Sequence, residues 1–410
     1  MDRPVKHGPT AGDLEILCLN GGSSSLKFAL FRMGEEEALL ARGAVESIGL
    51  PEGRFWLQDH AGHKSAQAGR VASHRDAAER VFAGLEAQRI PSPGGIGHRV
   101  VHGGMSWTKP QQVDQSLIAD LRRLIPLAPL HLPSELEVVQ AAMEHFPAVP
   151  QVVCFDTAFH RKLPEIAQRF PLSRNLWEEG IRRYGFHGLS YEYVLGALGP
   201  LAAGRTVIAH LGNGASLVAV KDGRPLDTTM GLTPIGGVMM GTRSGDLDPG
   251  VLLYLMRERC YEAEGLDRVV QREAGLLGVS QISSDMKTLL ERREFDARAS
   301  EAIAMFCYSI RKSVGALAAV LDGLDTLVFT GGIGERASAV RWEICEGLGH
   351  LGVALDARRN DAHGATISSA GSPCTVRVVA TDEDLMIARH AQSVLAAAPA
   401  THAGAGDDDE

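Results

Sequence analysis

Short apolar runs joined by small polar turns recur twice along this chain. Residues 16–20 (ILCLN) and 26–31 (LKFALF) predict two strands, with GGSSS at 21–25 as the turn between them. The same order of strand, turn and strand returns at 206–211 (TVIAHL), 212–216 (GNGAS) and 217–223 (LVAVKDG). Because both copies place a glycine-bearing turn between apolar strands, we predict an internal duplication, with two unrelated hairpins as the alternative.

Three further apolar runs predict strands that end in polar residues. The runs at 150–155, 325–329 and 376–380 stop at Asp156, Thr330 and Thr381. Ligands of open α/β sheets collect beyond the carboxyl ends of strands. These ends therefore predict one ligand cleft, provided that the strands share a sheet.

Helical periodicity marks two long stretches. Residues 299–321 are Ala-rich and apolar-periodic, which predicts a core or subunit-contact helix. Residues 383–395 predict a closing amphipathic helix, and the acidic tail at 400–410 predicts disorder.

Length and charge narrow the class of protein. Single cores stop growing at ~250–300 residues, so 410 residues predict two domains. We place them at 14–160, closed by the helix at 383–396, and at 161–382. The 41 basic and 50 acidic residues give a net charge of −9, which argues against a nucleic-acid or anionic-membrane partner. Six scattered cysteines without a C-x-x-C pair, and no signal-peptide pattern, predict a cytoplasmic protein with reduced thiols.

The sequence lacks the motifs that several classes of phosphate-binding protein and hydrolase require. No Gly-Lys dipeptide is present for a P-loop, and neither G-x-S-x-G nor H-E-x-x-H occurs. The kinase-like triplet at 74–76 lacks its downstream Asn and predicts only a solvated helix start. A Gly/Ser turn whose backbone N–H groups cradle an anion remains possible. Both repeated turns fit, the first with Gly21, Gly22, Ser23, Ser25 and Lys27.

Ten ordered motifs between about residues 16 and 395 resemble the acetate kinase family. They are NGGSSSLKF at 20–28, GHRVVHGG at 97–104, LAPLH at 127–131, VCFDTAFH at 153–160, RYGFHG at 183–188, HLGNGAS at 210–216, MMGTRSGDLDPG at 239–250, ISSDM at 282–286, FTGGIGE at 329–335 and TDEDLMIAR at 381–389. The resemblance implies an α/β protein with a duplicated ribonuclease H-like (actin-like ATPase) fold, two domains around a nucleotide cleft, and a homodimer. It also implies reversible, magnesium- or manganese-dependent transfer of the ATP γ-phosphoryl group to acetate, giving ADP and acetyl phosphate.

The resemblance also assigns roles residue by residue. Arg99, Asp156, His187 and Arg243 are implied as catalytic, with His187 and Arg243 stabilising the transition state. Phosphoryl transfer is catalysed mainly by positioning and charge neutralisation, which suits guanidinium groups. Asn20 and Glu383 are implied at the metal, with Asp384 as a competitor for Glu383. His131 is a weaker candidate for the cleft wall, and His98 and His102 lack a third metal ligand and predict a structural role.

Substrate contacts follow from the same motifs. The acetate methyl is implied to contact Val101, Leu130, Phe186 and Pro234. Nucleotide contacts are implied for Ser23, Ser25, Lys27, His210, Leu211, Gly212, Asn213, Gly214, Asp285, Met286, Lys287, Gly332, Ile333, Gly334 and Glu335.

Departures from the family pattern keep alternatives open. They are Gly21 in the first turn, HLPSE in place of HNPAN from Leu132, GFHGLSY in place of GFHGTSH at Leu189 and Tyr191, Gly236, Lys287 and Arg336. A propionate or other short-chain acyl kinase is one alternative. A pyrophosphate-dependent acetate kinase is another, because Lys287 and Arg336 add charge near the expected adenosine site. A non-enzymatic nucleotide sensor on the same fold is the third.

Overall fold

Two sheets with the same core strand order organise the structure, a computed structural model that describes residues 13–397. The strands are β1 (Leu14–Gly21), β2 (Ser25–Met33), β3 (Ala38–Glu46), β4 (Arg54–Asp59), β5 (Lys64–Ala68), β6 (Gly95–Val100), β7 (Gln111–Gln112), β8 (Gln151–Phe155), β9 (Arg205–Leu211), β10 (Ala215–Lys221), β11 (Arg224–Thr228), β12 (Thr326–Thr330) and β13 (Thr375–Val378). The predicted tail at 400–410 lies outside the described residues.

The described part of the chain also contains α-helices in both halves of the sequence. They are α1 (His74–Ala87), α2 (Gln115–Arg123), α3 (Leu132–His145), α4 (Glu165–Gln168), α5 (Arg174–Glu178), α6 (Gly188–Leu198), α7 (Pro249–Arg259), α8 (Ala263–Gln271), α9 (Gly275–Ser280), α10 (Met286–Arg292), α11 (Ala297–Leu321), α12 (Gly331–Arg336), α13 (Ser338–Cys345), α14 (Ala357–Asp361) and α15 (Glu383–Ala397). Short 3₁₀ turns cover Ile125–Leu127, Phe159–Lys162, Gly199–Ala202 and Gly349–Leu351.

The chain contacts divide the described residues into two units. Unit 1 contains the residues up to Gly103, Lys109–Phe155 and the segment from Asp384. Unit 2 contains Gly104–Thr108 and Asp156–Glu383. The contact-based boundary therefore falls between Phe155 and Asp156, a few residues before the sequence-based boundary at residue 160, which stays a prediction about domains.

Each unit carries the repeated strand order that the duplicated turns predict. In unit 1 the order is β5-β4-β3-β2-β1-β6-β8-β7, and in unit 2 it is β11-β10-β9-β12-β13. In both sheets an antiparallel three-stranded meander (β3-β2-β1 or β11-β10-β9) is followed by two parallel strands. Unit 1 adds β4, β5 and β7 to this core. The strand–turn–strand repeats are thus the first hairpins of two similar sheets.

The three polar strand ends do not share a sheet, so the single-sheet form of the cleft prediction is wrong. β12 and β13 are parallel neighbours in unit 2, whereas β8 lies in the sheet of unit 1. Strand pairing depends on contacts between distant segments, and the apolar runs alone do not distinguish one sheet from the other.

Helices bury the apolar faces of each sheet. In unit 1, Phe82 of α1 and Val138 of α3 join a core with Leu17 and Phe28 of the sheet. In unit 2, Tyr191 and Val194 of α6 pack against Ile208 of β9 and Val218 of β10. Burial of each large apolar side chain stabilises the fold by roughly 1.5–3 kcal/mol.

Helix α11 is the one described helix that is long and apolar enough to span a membrane, by length and composition alone. Residues such as Ile303, Phe306 and Ile310 are fully buried, and α11 contacts β9 and β10. A buried core helix meets the same length and composition test, so this is weak evidence for a span. All six cysteines are free thiols, five of them buried and Cys260 exposed.

Candidate active site

The first repeated turn, Gly22–Ser24 in unit 1, joins β1 to β2. The Gly22 amide donates to the Ser25 carbonyl oxygen (2.7 Å), and Nε2 of His74 bonds to the Gly22 carbonyl oxygen (2.7 Å). The side chains of Ser23 and Lys27 are exposed, and Ser25 is half-buried. This turn therefore leaves its predicted phosphate-binding side chains accessible, while His74, predicted at a solvated helix start, is buried and supports the turn.

Arg99 lies beside Asn20 because β6 pairs in parallel with β1. The register places Leu19 opposite His98, so the next residue of each strand emerges at the same edge of the sheet. The Arg99 guanidinium donates to the Gly21 carbonyl oxygen (3.2 Å) and to Oδ1 of Asn20 (3.4 Å). Unit 1 thus brings together a predicted catalytic cation and a predicted metal ligand.

Glu135 is a site residue that the sequence reasoning did not identify. It lies on α3, is 2% exposed, and its Oε2 accepts a hydrogen bond from the Val101 amide (3.0 Å). A Cβ added to Gly21 would lie 3.5 Å from the Glu135 Cγ atom. The carboxylate therefore holds the segment of the predicted acetate-contact residue Val101. Glu135 is the last residue of HLPSE (131–135), the segment in which this chain departs from the family pattern. Only the fold shows that Glu135 is buried. Leu130 and His131 are half-buried and directly precede α3.

The histidine motif of unit 2 places two imidazoles together. His187 caps α6 in the left-handed region (φ 59°, ψ 27°), and its ring stacks on that of His210 with centroids 4.2 Å apart. Nδ1 of His187 bonds to Oγ of Ser216 (2.8 Å), and Nδ1 of His210 bonds to Oγ of Ser190 (2.8 Å). Each ring is therefore oriented by a hydrogen bond at its Nδ1.

Arg243 and His187 converge on Gly214 in the second repeated turn. A Cβ added to Gly214 would lie 3.1 Å from an Arg243 terminal nitrogen (Nη2) and 3.4 Å from Nε2 of His187. The other terminal nitrogen of Arg243 donates to the Pro234 carbonyl oxygen (2.7 Å). Two nitrogen-bearing side chains thus flank this turn, and a side chain at position 214 would lie against both, while Pro234 and Phe186, two predicted acetate contacts, are buried in the same unit.

The second turn and the start of α12 lie at one edge of the unit 2 sheet. Thr330 of β12 pairs with His210 of β9, and a Cβ on Gly331 would lie 2.8 Å from the Leu211 carbonyl oxygen. The amide of Gly241 binds the Asn213 carbonyl oxygen (3.0 Å) and secures the turn. The structure therefore brings the predicted nucleotide contacts Leu211, Gly212, Asn213, Gly214, Gly332 and Ile333 to neighbouring positions. The GGIGE segment is itself helical, where a turn before a helix was expected.

Arg341 supports α12 and was also missed by the sequence reasoning. It is fully buried and donates to the carbonyl oxygens of Gly334 (2.8 Å) and Glu335 (3.0 Å). Oε1 of Glu335 in turn accepts from the Thr381 amide (3.2 Å). Hydrogen bonds from a buried arginine therefore hold two predicted nucleotide residues.

Asp285 has a local structural role in addition to any contact with a ligand. Its carboxylate caps α10 by accepting from the Thr288 amide (3.1 Å) and hydroxyl (2.9 Å). Slight burial opposes ionisation, but the hydrogen bonds from Thr288 and Lys287 keep the pKa of Asp285 below its ordinary value. Met286 is buried and Lys287 exposed. Within the described part of the chain, these three residues form no hydrogen bond with the second turn.

Two further acidic positions belong to the predicted set. Asp156 directly follows β8, is 1% exposed, and its carbonyl oxygen accepts from the Gly188 amide (3.0 Å). A Cβ on Gly188 would lie 2.3 Å from that oxygen, so only glycine lets α6 start here. Glu383 begins α15, and the adjacent Asp384 accepts from Nδ2 of Asn20 (3.3 Å).

The side chains present suit a weakly held magnesium ion. Among the described residues, no group of three or more His, Cys, Asp or Glu side chains could hold a metal ion. Mg²⁺ needs only one or two carboxylates because it keeps water ligands and binds substrate phosphates. The amide oxygen of Asn20 and the carboxylate of Asp384 are ligands of that kind, and the two side chains meet at one edge of unit 1, where Nδ2 of Asn20 donates to Asp384. His98 has the structural environment that was expected, with its Nε2 bonded to Oε1 of Gln151 (2.8 Å) and its pKa lowered to about 4 by burial.

Comparison with known proteins gives consistent matches over most of the chain. Residues 15–389 match the acetokinase family. The acetate kinase of Rhodopseudomonas palustris (strain ATCC BAA-98 / CGA009) is 46% identical over 394 residues, which cover 92% of this chain and 97% of the relative. The crystal structure of Porphyromonas gingivalis acetate kinase has a TM-score of 0.83 at 38% identity, covering 93% of this chain and all of the other.

A second solved structure extends the comparison. A propionate kinase from Francisella tularensis subsp. tularensis SCHU S4 has a TM-score of 0.87 at 35% identity, again covering 93% of this chain and all of the other. The TM-scores to these two structures, together with the mixed α/β architecture of this chain and its two sheets, confirm the predicted fold class.

Proposed function

This chain belongs to the acetokinase family, and on that basis we propose that it transfers the γ-phosphoryl group of ATP reversibly to acetate, giving ADP and acetyl phosphate. The observation that supports this most strongly is the convergence of Arg243 and His187 on Gly214. Phosphoryl transfer needs fixed cations and donors around the transferring group, in a turn that admits its oxygens. The chain is accordingly a phosphotransferase with a carboxyl group as acceptor.

The proposed roles in unit 2 follow from the donors that the structure supplies. Arg243 neutralises charge on the transferring phosphoryl group, and Nε2 of His187 donates a hydrogen bond to it. The amides of the second turn and of α12 bind the nucleotide phosphates and ribose. Asp156, buried next to the start of α6, orients the catalytic groups.

The proposed roles in unit 1 concern the acceptor and the metal. Arg99 binds the acetate carboxylate or an equatorial phosphoryl oxygen through its planar guanidinium. Ser23, Ser25 and Lys27 contact phosphate. Asn20 together with Glu383 or Asp384 would hold Mg²⁺ or Mn²⁺, and that ion, when bound, would offset the negative charge of the phosphates. Asp384 is the carboxylate whose contact with Asn20 supports this role.

The acyl preference rests on apolar side chains. We propose that Val101, Leu130, Phe186 and Pro234 contact the acetate methyl group. One methylene in such a pocket discriminates by only ~1–3 kcal/mol. Propionate is therefore the second candidate acceptor, and the likeness to a propionate kinase structure favours including it.

A hydroxamate assay tests the function directly. We expect acyl phosphate to form fastest with ATP and acetate, and more slowly with propionate and butyrate, each methylene costing roughly 10–200-fold in kcat/KM. The same assay with pyrophosphate in place of ATP tests whether pyrophosphate is the phosphoryl donor. Acyl phosphate formation with pyrophosphate alone would identify a pyrophosphate-dependent kinase, and no acyl phosphate with any donor would favour the nucleotide sensor.

We propose that the protein forms a homodimer through unit 2. Helix α7 buries none of its residues, although Val251, Leu253, Tyr254 and Met256 are apolar and 42–55% exposed. Helix α11 likewise exposes Met305 and Tyr308. Contiguous exposed apolar surface of this kind is typical of a protein interface.

A single charge on α7 tests the dimer. We expect Tyr254→Glu to shift the protein from dimer to monomer in light scattering after size exclusion, because the charge would have to be desolvated in an apolar interface. Leu50→Glu is the matched control, since Leu50 is 53% and Tyr254 55% exposed, but Leu50 lies in unit 1. A monomeric parent protein, or a dimer unaffected by Tyr254→Glu, would contradict this interface.

The cytoplasm is the proposed compartment. Its support is chemical, because all six cysteines are free thiols, and reduced thiols persist in reducing compartments.

A further inference from the structure

The hydroxyl of Ser216 links the phenol of Tyr191 to the imidazole of His187. Its Oγ lies 2.5 Å from the Tyr191 Oη and 2.8 Å from Nδ1 of His187. Both Tyr191 and Ser216 are 0% exposed. Within the described residues, these two contacts are the only hydrogen bonds that either hydroxyl makes.

The number of available protons determines which group donates in each of these hydrogen bonds. Tyr191 is buried, and this burial raises the pKa of its phenol, so the phenol keeps its proton and needs an acceptor, for which Ser216 Oγ is available. Ser216 then has one proton of its own and one remaining neighbour, Nδ1 of His187. If His187 instead donated from Nδ1, the serine proton would have no acceptor in a fully buried site, at a cost of ~1–3 kcal/mol. The arrangement that satisfies every hydrogen runs from Tyr191 to Ser216 to Nδ1.

We propose that Tyr191 and Ser216 are positioning residues that hold His187 as its Nε2–H tautomer. This inference rests on the proposed function, in which Nε2 of His187 donates to the phosphoryl group. Nε2 is the ring atom that, with Arg243, faces Gly214. The hydrogen bonds from Tyr191 to Ser216 and from Ser216 to Nδ1 make the neutral imidazole of His187 a donor at Nε2. His187 therefore need not carry a charge to bind a phosphoryl oxygen.

These hydrogen bonds depend on a position at which this chain departs from the family pattern. The motif here reads GFHGLSY where GFHGTSH is usual, so that Tyr191 stands in place of a histidine. A histidine at that position could accept or donate, and it could change its protonation near neutral pH. A buried phenol only donates to Ser216, because it does not ionise in this range. The helix sets the geometry, since Tyr191 lies one turn after His187 and its amide donates to the His187 carbonyl oxygen (3.1 Å).

Nitrogen NMR of the histidine rings tests the tautomer without relying on activity. The full chain is labelled with ¹⁵N-histidine, and His187 is assigned by the signals that disappear in His187→Gln. We expect the parent protein at pH 7.5 to show Nε2–H and a non-protonated Nδ1 for His187. We expect Ser216→Ala to show the Nδ1–H tautomer as well, with kcat for acyl phosphate formation about tenfold lower and KM for ATP and acetate changed less than about threefold.

Further variants separate positioning from folding. Ser216→Thr keeps the hydroxyl and should restore both the tautomer and most of kcat. Tyr191→Phe leaves Ser216 able to donate or accept, so it should give a mixture of tautomers, whereas Tyr193→Phe on the same helix should change neither. A parent protein in the Nδ1–H form, or Ser216→Ala with the parent tautomer and parent kcat, would overturn the proposal. If the parent has the expected tautomer but forms no acyl phosphate, the proposed function fails and the tautomer assignment stands.

Discussion

Replacing Arg243 by alanine lowers kcat for acyl phosphate formation by about 10²–10³-fold, the usual loss when one preorganised donor to a transition state is removed. The guanidinium faces Gly214 together with His187 and is held by the Pro234 carbonyl oxygen, so it requires no reorganisation when charge develops. Steady-state rates with ATP and acetate measure the loss. Because Arg243 is only half-buried, we expect the unfolding free energy to change by only about 1 kcal/mol.

Two companion variants make this result specific. Arg243→Lys keeps the charge but loses the planar fork, so we expect an intermediate kcat. Arg224→Ala, an exposed arginine of β11 in the same unit, should leave kcat and KM unchanged. Since Arg243 also holds Pro234, a change confined to the KM for acetate would show that Arg243 shapes the acyl pocket rather than stabilises the transition state. Near-parental turnover in Arg243→Ala would remove it from the site.

Replacing Arg341 by methionine lowers the unfolding free energy by about 3 kcal/mol, because buried carbonyl oxygens that lose their donor cost ~1–3 kcal/mol each. Methionine has a similar length but no donor. The bonds lost are those to the carbonyl oxygens of Gly334 and Glu335, to the side-chain and backbone oxygens of Asn360, and to Nδ1 of His363. Relief from burying a charge offsets part of this cost, since burial already lowers the pKa of Arg341. Urea-induced unfolding measures the change in unfolding free energy. An unchanged slope of that free energy against urea concentration shows that stability alone has changed.

The same substitution should weaken nucleotide binding, because α12 carries predicted nucleotide contacts. Isothermal titration with ADP at a temperature where the variant is folded measures this effect. Arg298→Met is the matched control, since Arg298 is exposed and its ion pair with Asp296 is at the surface, and we expect a change of no more than about 0.5 kcal/mol. A loss of less than about 1 kcal/mol in Arg341→Met would show that water replaces the guanidinium at these carbonyl groups.

Much of the fold was predictable because its signals are local. Short apolar runs on either side of a glycine-bearing turn specify a hairpin within about twenty residues, and both predicted hairpins appear as β1–β2 and β9–β10. The predicted helices at 299–321 and 383–395 also appear, as α11 and α15, each within two residues of its expected ends. Periodicity and turn chemistry decide these elements before any distant contact forms.

Part of the site was predictable for a different reason. Arg99, His187, Gly214 and Arg243 stand in motifs whose order and length identify the family, and the structure then places three of them together in unit 2. By contrast, Glu135 and Arg341 gave no signal in the sequence, because a buried charged residue resembles an exposed one until its surroundings are known.

The amino-acid sequence alone therefore determined the repeated hairpins, the family and the residue types that handle phosphate, since each depends on neighbours in the chain. Only the tertiary structure decided that β8 pairs in a different sheet from β12 and β13, that GGIGE is helical, and that Ser216 joins Tyr191 to His187. These features depend on which distant segments pair and on which polar groups lose contact with water. Such choices are made by the burial of the whole chain and cannot be read from any single stretch of it.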